Sequence, residues 1–320
     1  MVCPAPRGSR QGNRITAERW ARILRGLGHH VRITEELADD DADVLVALHA
    51  RRSAKAVRDY RMRHPQRPVV VALTGTDLYR DLERSRPAQR TLESADRLIV
   101  LQPAAVAHMP ARARRRARVI YQSAVRHSPV RRRVSAPMPA HFDVCVLSHL
   151  RAVKDPLRAA YAARRLPAAS RVRVLHAGRA LSTAIAERAR REMARNSRYR
   201  WLGERSHAAA LAMISRARVV VLSSRLEGGA NVIGEAAVNG VPVLASRVPG
   251  NVGLLGAGYE GLFPLGDTAA LTDLLMRVET DPAFYLRLVR SMTALAPLFE
   301  PARERRAWRD LLFELESVAR

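Results

Sequence analysis

The sequence predicts an α/β protein with two domains, each built around a parallel β-sheet. Short apolar runs rich in Val, Ile and Leu alternate with helical segments, which is the pattern of βαβ units. A chain of 320 residues is long enough to bury two cores of ordinary size. An aperiodic stretch rich in Arg, Pro and Ser, residues 126–140, is predicted to link the domains. The predicted boundaries are 1–135, 136–295 and, for a terminal helical segment, 296–320.

The predicted strands are short and end where the chain turns polar or reaches a glycine. In the first domain they are 1–4, 30–33, 44–48, 68–73 and 97–101, and residues 119–123 close the domain. In the second they are 142–147, 172–177, 199–203 (a strand and turn), 218–222, 240–246 and 261–264. Residues 1–4 are expected to be the tail of a first strand whose beginning is missing. Helices are predicted over 16–28, 206–216, 232–238, 267–279 and 308–313.

The net charge of +25 makes nucleic acid, a membrane surface or an acidic substrate possible partners. Lys55 and Lys154 are the two lysines, so nearly all of this charge is arginine, scattered among alanines. Aromatic residues make up 5% of the chain and no nucleic-acid-binding motif is present. The pattern resembles coding bias, and we predict no specific nucleic-acid partner. A non-catalytic polyanion-binding protein remains an alternative.

The two cysteines, Cys3 and Cys145, have no metal-binding spacing and indicate no disulfide framework. No apolar run approaches the ~20 residues of a transmembrane helix, and the N-terminus has no signal-peptide pattern. We expect a cytoplasmic protein without a transmembrane segment. An acidic run at 39–43 precedes its strand, which is the wrong end for an α/β ligand site, so it is predicted to be a solvated turn.

The most informative stretch is 223–237, which follows a buried strand. Gly228 and Gly229 leave the backbone bare, and a helix begins directly after them. The unpaired amides and the positive dipole end of a helix N-terminus favour an anion such as phosphate. Glu227 and Glu235 flank this loop and can hold a sugar hydroxyl and a ribose diol. The alternative is that Glu235 complements the helix dipole and Glu227 is solvated.

This motif resembles the donor site of retaining nucleotide-sugar glycosyltransferases. The matching features are the Glu-x7-Glu spacing of Glu227 and Glu235, the strand Gly-Val-Pro-Val-Leu-Ala-Ser at 240–246, and Pro-Gly-Asn at 249–251. The resemblance implies the GT-B fold, two Rossmann-like domains facing across a cleft, with the terminal helix packed back on the first. It implies donor binding by Gly12, Asn13, Gly203, Glu227, Gly228, Gly229, Ala230, Asn231, Val232 and Glu235.

In these relatives an Arg and a Lys five residues apart bind the diphosphate. Lys154 occupies the lysine position, whereas His149 stands at the arginine position and Arg151 lies two residues further on. Either His149 or Arg151 can supply the second contact, and charge favours Arg151. The backbone at Gly203 is expected to meet the nucleotide base.

Polar residues also follow two strands of the first domain, where ligands of open α/β sheets bind. His49, Arg51, Arg52 and Ser53 come after the strand at 44–48, and the run Thr74, Gly75, Thr76 and Asp77 follows the strand at 68–73. Guanidinium groups, hydroxyls and a helix N-terminus suit a small tetrahedral anion. The alternatives are solvated arginines and a helix cap at Thr76 or Asp77.

Together these first-domain motifs, with 119–123, 149–156 and 225–230, resemble the selenosugar synthases of selenoneine biosynthesis (SenB) over nearly the whole chain. The resemblance implies a UDP-sugar donor, UDP-GlcNAc or UDP-glucose, and selenophosphate as the nucleophile. The acceptor would be held by His49, Arg51, Arg52, Ser53, Thr74, Gly75 and Thr76. His49 and Asp77 are candidate catalytic groups. The sugar preference and the anomeric outcome remain open.

No cofactor and no metal are expected, because basic groups and the helix dipole can stabilise the UDP leaving group. A selenophosphate synthetase is a possible partner that supplies the acceptor. The alternative enzyme is an ordinary glycosyltransferase with a hydroxyl acceptor on a glycan or lipid, which would need a general base.

Overall fold

The computed structural model describes residues 1–9, 11–37, 41–127 and 140–318, apart from the side chains of 317 and 318. The predicted linker at 126–140 therefore lies largely outside the described residues, and so do residues 39 and 40 of the acidic run at 39–43. Contacts divide the chain into two compact units. Unit 1 comprises Met1–Ser123, Glu227–Gly229 and Pro301–Arg320, and unit 2 comprises Ala124–Leu226 and Ala230–Glu300. The terminal helix thus belongs to unit 1.

Unit 1 contains a parallel sheet with the strand order β1-β2-β3-β4. Its strands are β1 (Leu45–Leu48), β2 (Val69–Ala72), β3 (Arg97–Val100) and β4 (Ala117–Val119). The prediction of a strand at 30–33 is wrong, since only Thr34 forms a bridge there, to Val2. Thr34 exchanges backbone hydrogen bonds with Met1 and Cys3, and this short contact does not extend into a strand.

Alternate residues of these strands face two apolar clusters, one on each side of the sheet. Val46 and Val70 lie in the cluster that also holds Trp20 and Trp308, and Ala47 lies in the other. The helices of unit 1 are α1 (Gly12–Arg25), α2 (Ala54–Arg63), α3 (Arg86–Ser94), α4 (Ala111–Arg114) and α12 (Pro301–Val318). Unit 1 also contains a π-helix at Asp77–Asp81 and a 3-10 helix at Pro103–His108.

Helix α12 is fastened to unit 1 by buried polar and aromatic contacts. The indole rings of Trp20 and Trp308 pack edge to face, with centroids 5.0 Å apart. The indole Nε1 of Trp20 donates a hydrogen bond to Oε1 of Glu304 over 2.8 Å. The other oxygen of Glu304 accepts from the amide of Ser123. One buried carboxylate therefore joins α1, α12 and the segment after β4.

Unit 2 contains a six-stranded parallel sheet with the order β10-β9-β8-β5-β6-β7. The strands are β5 (Phe142–Leu147), β6 (Val172–Ala177), β7 (Tyr199–Trp201), β8 (Val219–Leu222), β9 (Val243–Ser246) and β10 (Leu262–Phe263). The central strands β8 and β9 are buried along their whole length, as expected for a sheet covered on both faces. Two parallel sheets in an α/β chain confirm the predicted fold class.

The helices of unit 2 cover this sheet. They are α5 (Arg158–Arg164), α6 (Thr183–Arg195), α7 (His207–Arg216), α8 (Asn231–Val238), α9 (Pro249–Leu255), α10 (Thr268–Thr280) and α11 (Pro282–Leu295), with 3-10 turns at Ala152–Lys154 and Ala296–Phe299. Helix α11 is absent from the sequence prediction, although the capping residue Asp281 and Pro282 mark its start. No helix in the described ranges is both long and apolar enough to cross a bilayer.

Candidate active site

In unit 1 the predicted polar residues lie at the carboxyl ends of β1 and β2, which are neighbours in the sheet. His49 follows β1 with a φ of 74°, in the left-handed region that residues other than glycine rarely adopt. Its Nε2 lies 3.1 Å from Oγ1 of Thr76, which comes from the loop after β2. A strained backbone of this kind costs ~1–3 kcal/mol and is concentrated at functional sites.

Asp77 holds the two loops together. Its buried carboxylate accepts hydrogen bonds from the amide of Ala50 (3.0 Å) and the amide of Thr74 (2.8 Å). The hydroxyl of Thr74 lies 3.3 Å from the same carboxylate. Both oxygens of Asp77 are engaged by backbone amides, which favours a positioning role, and its catalytic role stays a prediction.

The surroundings of His49 favour the neutral form of its imidazole. Burial lowers its pKa most strongly, Asp77 and Asp81 oppose this effect, and Arg52 adds to it. The Nδ1 atom accepts from the amide of Arg52 over 3.4 Å, so in the neutral ring the proton is on Nε2. The Nε2 proton therefore faces the hydroxyl oxygen of Thr76.

Asp81 is a site residue that the sequence analysis missed. Its buried carboxylate lies 3.4 Å from Nη1 of Arg51 and 3.1 Å from Nε of Arg80. Arg51 is consequently half of an ion pair, although 56% of its side chain is exposed. The spacing Asp-x-x-x-Asp from Asp77 to Asp81 was a signal, because four residues bring two side chains to one face of a helical turn.

The hydroxyl of Ser53 is engaged within the fold, so its predicted contact with the acceptor gains no support here and stays a prediction. The residue is buried, and its hydroxyl donates to the carbonyl of Leu48 over 2.7 Å. A hydroxyl has one proton to donate, and this one is used inside the fold. Arg52, by contrast, is exposed, two residues before α2 begins at Ala54.

The tripeptide Glu227–Gly229 belongs to unit 1 and lies against the loop after β2. A Cβ atom built on Gly75 would be 2.6 Å from the amide nitrogen of Gly228, and one built on Gly228 would be 2.4 Å from the carbonyl oxygen of Thr74. Glu227 is buried. The structure therefore brings Glu227 and Gly228 together with Thr74 and Gly75, which sequence spacing alone could not place.

The remaining predicted residues of unit 1 lie on other elements. Gly12 and Asn13 form the first turn of α1, whose capping residue Gln11 makes no side-chain cap. Gly229 packs on Leu101, at the end of β3.

In unit 2 the loop after β5 is joined to the loop after β8. The hydroxyl of Ser223 donates to the carbonyls of Lys154 and Asp155, over 3.3 and 2.9 Å. The amide of Arg225 donates to the carbonyl of Val153 over 2.8 Å. Lys154 is thus held beside the segment that leads into α8.

His149 and Arg151 differ in their surroundings. The Nδ1 atom of His149 accepts a hydrogen bond from the amide of Arg179 over 3.2 Å, which ties the loop after β5 to the loop after β6. Arg151 is exposed. These placements favour Arg151 over His149 as the second diphosphate contact, and that role stays a prediction.

Helix α8 begins at Asn231, with Ala230 as its capping residue and Val232 in its first turn. Ala230 has no side chain that can cap the helix amides. The carboxylate of Glu235, one turn further on, is 14% exposed, and its Oε1 lies 3.2 Å from Nε2 of His207 in α7. His207 was not predicted, and no sequence signal connects it with Glu235.

A groove of about 520 Å³ lies beside Gly203. It is lined partly by Arg179, Arg190 and Trp201. The indole Nε1 of Trp201 donates to the carbonyl of Gly178 over 2.8 Å, and the guanidinium of Arg190 lies 5.9 Å from the indole centroid. Within the described ranges, no cluster of three His, Cys, Asp or Glu residues can hold a metal ion.

The family described as glycosyl transferases group 1 matches residues 132–293, slightly more than half of the chain. No curated protein matches the sequence.

Solved structures resemble the chain over most of its length. HepE of Anabaena in complex with UDP and glucose is 20% identical, with a TM-score of 0.69 over 85% of this chain and 78% of that chain. Sucrose-phosphate synthase from Thermosynechococcus elongatus is 19% identical, with a TM-score of 0.70 over 99% and 82%. The UDP-forming α,α-trehalose-phosphate synthase from Burkholderia vietnamiensis is 16% identical, with a TM-score of 0.68 over 95% and 78%. At these identities the likeness shows the fold, and it confirms GT-B.

Proposed function

The chain belongs to the glycosyl transferases group 1, and from this membership we propose that it transfers a hexose from a UDP-sugar to selenophosphate. The donor is UDP-GlcNAc or UDP-glucose, and the products are a 1-selenosugar, UDP and phosphate. The UDP and glucose bound to Anabaena HepE support the choice of donor.

On the donor side, the residues of unit 2 suit a nucleoside diphosphate. The cationic side chains of Lys154 and Arg151 and the amides at the N-terminus of α8 would stabilise the charge that develops on UDP as it leaves. Glu235 would accept hydrogen bonds from the ribose diol. The groove beside Gly203 would receive the base. Because these groups supply positive charge, the proposal includes no metal.

The observation that carries the acceptor proposal is the polar cluster at the carboxyl ends of β1 and β2. Arg51, Arg52 and Arg80 are exposed there, beside the ring of His49 and the hydroxyl of Thr76. Three guanidinium groups suit a small oxyanion better than an uncharged hydroxyl acceptor.

The chemistry of selenophosphate agrees with the placement of Asp77. Selenophosphate is an anion whose selenium is already nucleophilic, so the transfer step needs positioning and charge stabilisation and no strong general base. Both oxygens of the buried Asp77 carboxylate already accept hydrogen bonds from backbone amides, which suits a positioning role. Glu227, which lies against Thr74 and Gly75, would orient the sugar hydroxyls.

The reaction balances in two steps. Selenium attacks the anomeric carbon, the C–O bond to UDP breaks, and UDP leaves with the bonding electrons. The resulting glycosyl selenophosphate then loses its phosphoryl group to water, which breaks the Se–P bond and yields the 1-selenosugar and inorganic phosphate.

The test is mass spectrometry of a reaction that contains the full chain, UDP-GlcNAc or UDP-glucose, and anaerobically prepared selenophosphate. We expect a protein-dependent product with the isotope pattern of selenium at the mass of a selenohexose or selenohexosamine. Release of UDP without a selenium product would refute the acceptor and point to a hydroxyl acceptor. Absence of both would refute the catalytic proposal.

A double variant tests the acceptor side. Arg51→Ala with Arg52→Ala should raise the selenophosphate concentration needed for half-maximal rate by roughly tenfold or more, at an unchanged UDP-sugar requirement. The matched control is Arg86→Ala with Arg90→Ala, which removes the same charge from two exposed positions of α3. Equal losses in both double variants would mean that overall charge, and not this cluster, attracts the anion.

A further inference from the structure

We propose that the backbone contact between Gly75 and Gly228 sets the distance between the donor sugar and the acceptor, so that these two glycines are positioning residues for transfer. This inference rests on the proposed function, because it takes Glu227 as the residue that orients the sugar. The role proposed for the two glycines, control of a distance, is separate from forming secondary structure and from binding phosphate.

The contact is reciprocal and leaves no space for a side chain. A Cβ atom on Gly75 would lie 2.6 Å from the amide nitrogen and 3.0 Å from the Cα of Gly228. A Cβ atom on Gly228 would lie 2.4 Å from the carbonyl oxygen of Thr74 and 2.7 Å from the amide nitrogen of Gly75. All of these neighbours are backbone atoms, which cannot rotate away as a side chain does. Two bare backbones therefore determine how closely the segments approach.

The acceptor side of this contact is fixed by hydrogen bonds. Thr74, directly before Gly75, donates its amide to Asp77, and Asp77 also accepts from the amide of Ala50. Gly75 has a φ of +117°, which L residues with a side chain rarely adopt. The segment that bears Thr76 and faces His49 thus has little freedom to shift.

The donor side of the contact is the peptide that joins Glu227 to Gly228. The carbonyl carbon of Glu227 would lie 3.2 Å from a Cβ atom on Gly75. The buried Glu227 side chain is therefore one residue from the contact. A side chain added at Gly75 or Gly228 would push the two segments apart and move Glu227 away from Thr76 and His49. A misplacement of about 1 Å between reacting groups can cost roughly 100-fold in rate.

The neighbouring glycine differs in its surroundings. A Cβ atom on Gly229 would meet the side chain of Leu101, with the nearest atom at 2.5 Å, and none of its three nearest atoms is backbone. Gly229 therefore packs on an apolar side chain, whereas Gly75 and Gly228 meet each other's backbones. We therefore expect Gly75 and Gly228, and not Gly229, to set the distance between donor sugar and acceptor.

The experiment compares Gly75→Ala and Gly228→Ala with the control Gly258→Ala, where an added Cβ meets nothing within 4 Å. For each full-length variant we would measure thermal unfolding, UDP affinity by calorimetry, and kcat and KM for transfer. We expect Gly75→Ala and Gly228→Ala to lose roughly 100-fold in kcat. Gly75→Ala should keep its UDP affinity within about threefold, and Gly258→Ala should match the parent chain.

Hydrolysis of the donor by water separates positioning from folding. A positioning role predicts that the ratio of UDP-sugar hydrolysis to transfer rises in both variants, whereas partial unfolding would lower both rates together. Gly228→Ala keeps the test decisive if Gly75→Ala fails to fold, because no positive φ is involved there. Transfer within threefold of the parent chain in Gly228→Ala would overturn the inference. If the parent chain uses another acceptor, the proposed function fails, and the same ratio still tests the contact.

Discussion

The buried carboxylate of Asp77 accepts a hydrogen bond from the backbone amide of Ala50, the residue next to His49. Its other oxygen accepts from the amide of Thr74. One side chain thereby joins the loops that follow β1 and β2 and holds the candidate acceptor residues in register. We therefore expect Asp77 to act as a positioning residue, whose substitution lowers the stability of the fold.

The isosteric variant Asp77→Asn tests this role. An amide group keeps one acceptor oxygen but turns an NH2 group toward a backbone donor, so we expect a loss of about 1–3 kcal/mol in the free energy of unfolding. Urea denaturation would measure it. The control is Asp310→Asn, whose carboxylate is exposed on α12 and lies 3.4 Å from the guanidinium of its neighbour Arg309. A loss below about 0.5 kcal/mol in Asp77→Asn, typical of exposed sites, would contradict the assignment.

The backbone of His49 offers a second test. His49→Gly and His49→Ala both remove the imidazole, but only glycine accepts a φ of 74° without strain. We expect His49→Gly to be more stable than His49→Ala by about 1 kcal/mol, and both to lose transfer activity. Denaturation of the two variants side by side would show the difference. Equal stabilities would mean that the left-handed conformation carries no strain.

The donor side is tested by Glu235→Ala. Loss of a charge-assisted hydrogen bond to ribose should weaken UDP binding by ~1.5–3 kcal/mol, which is about 10- to 150-fold in Kd. His207→Ala is the matched variant, since it removes the neighbour of Glu235 and leaves the carboxylate. Because 66% of the His207 side chain is exposed, we expect less than about fivefold from it. Calorimetry with UDP would measure both, and an unchanged Kd in Glu235→Ala would remove Glu235 from the site.

Stability against pH provides a test within unit 2. Burial lowers the pKa of His176 to about 4, and its ring lies 3.0 Å from the hydroxyl of Tyr199 and 3.0 Å from the carbonyl of Ser148. The unfolded chain has the ordinary histidine pKa of about 6.5 and so binds more protons between pH 6.5 and 4. The stability that comes from keeping His176 neutral in the folded chain is therefore fully present above pH 6.5, and it is lost as the pH falls toward 4.

The expected loss for the parent chain is about 2–3 kcal/mol over that range. His176→Gln should be less stable at pH 7 but should lack this part of the pH dependence. Denaturation midpoints at pH 7, 6, 5 and 4 would measure the difference between the two proteins. A constant difference across the range would show that His176 titrates alike in the folded and unfolded chains.

Much of the candidate site was foreseeable from local pattern. The residues after β1 and β2 were predicted because polar groups at the carboxyl ends of parallel strands share one edge of a sheet. The sequence did not show, however, that the Asp77 carboxylate and the Ser53 hydroxyl are hydrogen-bonded inside the fold. Spacing places a side chain at an edge, but only the positions of amides and carbonyls from other segments decide whether that side chain is engaged.

The sequence by itself determined the parallel-strand architecture and the positions of most strands, because hydrophobic period and turn residues are properties of consecutive positions. Tertiary structure alone decided the pairs that join distant segments: Arg51 with Asp81, His207 with Glu235, and Gly75 with Gly228. Those pairs depend on how separate loops are held by the sheet that carries them. Such distances are set by packing and hydrogen bonding across the fold, and no window of neighbouring residues contains them.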